Sequence, residues 1–116
     1  IQSCLLILSQ WPDISNKEVH DFSDTVGRAG QEHAYNMAEK SILLSLTNII
    51  SAKAKETDLK APFDNRGLNN IMQRTDIKSL MALHDELKAM FAQGRYANLD
   101  KRLVVINIFN KLKSII

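Results

Sequence analysis

Cysteine, proline and glycine are all scarce in this chain: one, two and four of them among 116 residues. The lone cysteine, Cys4, rules out an internal disulfide. Its place in the apolar run Cys4-Leu5-Leu6-Ile7-Leu8 reads as a small buried hydrophobe in a reducing cytoplasm. A reactive thiol would want cationic neighbours, and none stands near it in sequence. Gly27, Gly30, Gly67 and Gly94 are too scattered to build a loop whose backbone amides cradle a phosphate. Neither H-E-x-x-H, C-x-x-C nor a calcium-loop pattern occurs. A metal site would have to be assembled from distant residues, and no cofactor is expected. No stretch reaches the roughly 18 consecutive apolar residues of a membrane span. The first apolar run also lacks the basic region that opens a signal peptide. Charge of one sign is missing too: a net +2 excludes a strongly basic polyphosphate binder and an acidic tail alike.

What remains is a well-proportioned globular chain. Its length suits one domain over residues 1–116 that buries roughly 65% of its unfolded surface, with no need of a disulfide or metal. Hydrophobic content of 45% against 24% charged argues against disorder. Because the chain starts at Ile1 and not at methionine, it reads as a fragment of a longer protein.

No alternating strand pattern persists, and helical periodicity dominates. Residues 1–10 suggest a short helix stopped by Trp11-Pro12, since the residue before proline is biased away from helix. Ser15 and Glu18 form an S-x-x-E capping box for the next helix, with Ile14 and Val19 as its hydrophobic staple. Val19, Phe22, Val26 and Ala29 make its apolar edge, and Gly30 is placed to end it. Residues 31–55 form a long helix of roughly 37 Å. Tyr35, Ile42, Leu43, Leu46, Ile49 and Ile50 lie on its stripe, with Met37 and Leu44 behind. Residues 56–66, holding Pro62 and Asp64-Asn65, read as a loop from which Leu59 and Phe63 pack down. A helical turn over 67–74 builds on Leu68, Ile71 and Met72. Thr75 or Asp76 then caps a helix with the stripe Ile77, Leu80, Leu83, Leu87, Met90 and Phe91, which ends near Gln93 with Gly94 as terminator. The sum is an all-α bundle of five or six helices.

The last helix, over residues 98–116 and capped by Asn98 or Asp100, is the most informative element. Val104, Val105, Ile108, Phe109, Leu112, Ile115 and Ile116 fill an arc of roughly 140°. Leu103 and Ile106 fall outside it, among asparagines and lysines. A helix that feeds only its own core needs one stripe, so the surplus points to a partner surface rather than a catalytic pocket.

Side chains with chemistry are few. His20 and His33 have polar neighbours and read as solvated. His84 falls inside the stripe of its helix, where a core-edge histidine bonded to a carbonyl is the plainer reading than a switch or ligand. Asp85 and Glu86 are adjacent, so on a helix they point in different directions. An enzyme would need His33, His84, Asp85 or Glu86 brought together across helices, and no spacing supports that. Direct DNA contact through Lys53, Lys55 and Lys60, or through Lys101, Arg102, Lys111 and Lys113, is opposed by interspersed acids and a small net charge.

Tyr96-Ala97-Asn98-Leu99-Asp100-Lys101-Arg102, followed by an apolar helix, resembles the C-terminal domain of the bacterial DNA polymerase III delta-prime subunit. In that clamp-loader family an Asn-Leu-Asp element followed by basic residues opens the last helix. The segments Leu5-Leu6-Ile7-Leu8, Trp11-Pro12-Asp13-Ile14 and Val19-His20-Asp21-Phe22-Ser23-Asp24 are similar to the family's helix, short break and helix. Tryptophans common in the family's penultimate helix have no counterpart over residues 80–91. The resemblance implies a cytoplasmic, non-catalytic collar domain whose upstream ATPase-like modules are absent from this sequence. Its expected partners are the collar domains of other loader subunits, with DNA only indirect and neither membrane nor small-molecule substrate involved. The candidate subunit interface is Leu103, Ile106, Phe109 and Ile115. The alternative is a small helical DNA-binding regulator.

Overall fold

In the computed structural model, which describes residues 2–28, 30–97 and 99–115, the helical pattern resolves into six helices. They are α1 (Gln2–Leu8), α2 (Asn16–Val26), α3 (Glu32–Lys55), α4 (Arg66–Arg74), α5 (Ile77–Tyr96) and α6 (Lys101–Lys113), and no strand occurs among the described residues. The readings made for Ile1, Ala29, Asn98 and Ile116 lie outside the described residues.

Local chemistry sets most helix starts. Ser15 caps α2 by accepting from the Glu18 N–H at 3.3 Å. The reciprocal half of the box is rewired: Gln10 Oε1 accepts from the Ser15 N–H at 2.9 Å, and the Gln10 amide donates to the Glu18 carboxylate. The Asn65 side chain caps α4 by accepting from the Leu68 N–H at 2.9 Å. Of the two candidate caps for α5, Asp76 serves, taking the Ser79 N–H at 2.7 Å. That bond holds its carboxyl below the usual carboxylate range. Asp100 caps α6 through the Arg102 N–H at 3.0 Å.

α1 ends at Leu8 and α6 at Lys113, each short of the expected 10 and 116, and two further helix ends shift at glycines that meet another helix. α2 stops at Gly27 rather than Gly30, with the Gly27 N–H on the Ser23 carbonyl at 2.9 Å. A β-carbon on Gly27 would sit 2.6 Å from the Arg102 backbone nitrogen, so the start of α6 rests directly on this point. α5, by contrast, runs through Gly94 to Tyr96. Glycine disfavours a helix interior by about 1 kcal/mol, yet here it makes room for the Tyr35 hydroxyl and Val104. The packing that follows from having no side chain outweighs the propensity.

α3 is the central element. Its 24 residues should span about 36 Å, most of the domain's 41 Å long axis. It packs on α5, α4, α1 and α2, while α6 packs on α2 and α5. So many neighbours bury more than one stripe, and Ala38, Ser41, Ser45 and Ala52 join the expected Tyr35, Ile42, Leu46 and Ile49. The two buried serines are satisfied within the helix, Ser41 on the Met37 carbonyl and Ser45 on the Ser41 carbonyl, both at 2.8 Å. Leu59 from the loop is buried, as expected, and Phe63 packs against the same core. Cys4 is buried too, and burial pushes its thiol up to about 12, which removes thiolate character.

Candidate subunit interface

The apolar residues of α6 fall into two settings. Val104, Val105, Ile108, Phe109 and Leu112 are buried and close the domain's own core against α2 and α5. Leu103 projects the other way and is 51% exposed. Tyr96 at the end of α5 and Leu99 in the connecting turn are 82% and 48% exposed. The α5–α6 corner therefore carries three large apolar side chains close together in sequence. Burying them against a partner would return about 25 cal/mol for each Å² of apolar surface removed from water.

The corner is held in place from beneath. The Tyr35 hydroxyl donates to the Phe91 carbonyl at 2.8 Å, and the two rings meet edge to face at 5.5 Å. The Arg95 guanidinium lies 5.5 Å from the Tyr35 ring centroid and the Lys101 ammonium 5.7 Å from it. Arg95 also donates to Glu39 at 2.6 Å and to Asn36 at 2.8 Å, which pins the last turn of α5 to the first half of α3. Burial pushes the Tyr35 phenol up to about 12 despite the opposing Arg95 charge, so it stays a neutral donor. At the rim, Arg102 lies 3.7 Å from Asp24 and 3.6 Å from Asp100.

The four residues read from sequence as interface do not share one environment. Leu103 is exposed. Ile106 and Ile115 are half-buried and pack against the edge of the core. Phe109 requires correction: it is fully buried, edge to face with Phe22 at 5.9 Å, and is unavailable to a partner in this fold. Its own membership of the buried arc of α6 already placed it there. Tyr96 and Leu99 were missed as exposed residues. Ending the helix at Gly94 hid Tyr96, which falls about 140° around α5 from the buried Phe91 once the helix continues.

The basic residues weighed for DNA contact are largely engaged inside the domain. The Lys53 ammonium donates to the Met72 carbonyl at 2.6 Å, Lys111 pairs with Glu86 at 3.0 Å, and Lys113 reaches the Asn16 side chain. Arg102 lies within reach of Asp24 and Asp100, while Lys55 and Lys60 are exposed. His84 is half-buried, with Nδ1 3.7 Å from Asp85, and lines two shallow depressions, one with Leu44 and Lys88, the other with Met81 and Ile50. Glu86 turns instead to Lys111. Among the described residues no three His, Cys, Asp or Glu side chains gather as metal ligands would, and no helix is long and apolar enough to cross a membrane. Compared with protein families, curated proteins and solved structures, the chain matches none.

Proposed function

We propose that this chain is an assembly domain, the collar module of a DNA polymerase III clamp loader of the delta-prime kind. In this role it holds loader subunits together in the cytoplasm while upstream ATPase-like modules act on the clamp and DNA. The observation that carries the reading is the split of α6: one face completes the core, and Leu103 with Leu99 and Tyr96 stands outside it. The motif behind the resemblance lies at this corner, where Asp100 caps α6 and Arg102 seats against α2. A subunit interface of standard size buries about 800 Å² on each partner, and the exposed Tyr96, Leu99 and Leu103 are the proposed anchors of its centre. The half-buried Ile106 on α6, and Ile115 two residues past its end, would extend it.

The test is the mass of the chain by light scattering, alone and mixed with the C-terminal domains of the other loader subunits. The expected result is mass gained in the mixture and lost again in Leu103→Glu. A chain that ignores those domains, or a Leu103→Glu variant that assembles as well as the parent, refutes the reading.

A further inference from the structure

A second surface, remote in sequence from the α5–α6 corner, has its own chemistry. α1, α2 and the first turns of α3 enclose an open groove of ≈ 720 Å³. Its floor is apolar, built on Cys4, Ile7, Val26 and Ala38, with Phe22 and Met37 only half-buried above them. Leu6 lines it and is 67% exposed, a leucine that faces away from the core its neighbours Leu5 and Ile7 enter. Glu18, which accepts from the Gln10 amide, and Asp21, which pairs with Lys17, stand on the α2 side; among the described residues no lysine or arginine lines the groove itself.

We infer that this groove receives an amphipathic helix from a partner protein, with apolar side chains set on Leu6, Phe22 and Met37 and a lysine or arginine set against Glu18 and Asp21. The backbone decides the form of the occupant. Every desolvated N–H and C=O must keep a hydrogen-bond partner, and the groove walls are helices and a turn. They offer no strand edge to an extended peptide, whereas a helix brings its backbone satisfied. Charge decides the sign. Among the described residues Asp21 pairs with Lys17 alone, at 2.8 Å and with both side chains largely exposed, a pair weak enough to be exchanged for an incoming cation. Met37 supplies an unbranched side chain that adapts to the anchor it meets.

The groove is separable from the assembly reading of the α5–α6 corner, and its test keeps them apart. The probe is a short end-capped peptide of leucine and lysine at helical spacing. Its controls are a leucine–glutamate peptide of the same pattern and a proline-interrupted isomer of the probe. In NMR titrations of the whole chain the leucine–lysine helix should shift the amide signals around Leu6, Phe22 and Met37. Leu6→Glu should weaken it about tenfold or more. Glu18→Gln with Asp21→Asn should weaken it about threefold to tenfold. Leu103→Glu should leave it unchanged. Equal binding of the acidic or proline-interrupted peptide, shifts centred elsewhere, or a chain that self-associates through Leu6 in the absence of peptide would each overturn the inference.

Discussion

The indole N–H of Trp11 donates to the carbonyl of Leu112 at 2.8 Å, joining the segment after α1 to the last turn of α6. That carbonyl is one of the terminal four that α6 cannot satisfy within itself. The indole is buried, with the Arg74 guanidinium 5.6 Å from its ring centroid. One side chain thus couples the two ends of the chain through both packing and a directed bond.

Trp11→Phe keeps most of the packing and removes the donor, leaving the Leu112 carbonyl buried without it. The expected loss is about 1–3 kcal/mol. Trp11→Ala, which also opens a cavity, should cost about 3–5 kcal/mol. Urea titration followed by circular dichroism reads both. A Phe variant with the parent's midpoint would show that the bond contributes nothing.

Gly94 supports a prediction in which two effects oppose each other. Alanine is the better helix former by about 1 kcal/mol. Against that, a β-carbon here would lie 2.4 Å from the Tyr35 hydroxyl oxygen and 3.0 Å from a Val104 methyl. Tyr35 is buried and tied to Phe91, so it has little room to move, and overpacking of this kind costs about 1–3 kcal/mol. Gly94→Ala should therefore lower the thermal midpoint. Gly67→Ala should lower it further, because its β-carbon would meet the Leu8 carbonyl oxygen at 2.0 Å, and backbone yields less than a side chain. A neutral Gly94→Ala would mean that α5 and α6 separate easily enough to admit the β-carbon.

Much of this architecture is legible in the residues themselves, and the exceptions share a cause. The caps at Ser15 and Asp100 and the stripe of α5 depend on neighbours a few positions away, so local chemistry exposes them. Gly94 and Gly27 do not: whether a glycine ends a helix or admits a neighbouring one depends on what crosses it, and that is tertiary. The same limit governs the exposed apolar residues. Leu103 could be separated from the buried arc by angle alone. The exposure of Tyr96 followed only from where α5 ends, and that of Leu6 only from how α1 lies on α2 and α3. Gln10 replacing Glu18 in the capping box is a further case, since its reach depends on the turn at residues 9–13.

Tyr35 predicts a pH dependence at the alkaline end. Its phenol is raised from the usual value near 10 to about 12, so the folded state keeps its proton after the unfolded state has lost it. For a raised acid the associated stability is fully present below pH 10 and is lost as pH climbs through about 12. The loss is on the order of 2 kcal/mol. Tyr35→Phe should cost about 1 kcal/mol at neutral pH by deleting the bond to the Phe91 carbonyl. Because it also removes the ionisation, the gap between parent and variant should narrow and then reverse between pH 10 and 12. Denaturation midpoints measured across that interval decide it. A constant gap would place the Tyr35 phenol in a far wetter setting.

Leu103 and Phe109 lie on one helix and should behave as opposites. Phe109 is fully buried against Phe22, so Phe109→Ala removes core contacts and leaves a cavity, at about 3–5 kcal/mol. Leu103 is half in solvent, and Leu103→Ala should stay within about 0.5 kcal/mol of the parent. If the corner is an assembly surface, Leu103→Ala should nonetheless weaken partner binding by about tenfold, the effect of losing a central apolar anchor. Stability and association measured on the same variants separate the roles. Destabilisation by Leu103→Ala comparable to Phe109→Ala would make Leu103 a core residue and remove the centre of the interface. An unstable Phe109→Ala beside a stable Leu103→Ala that binds about tenfold more weakly is the pattern the assembly reading requires.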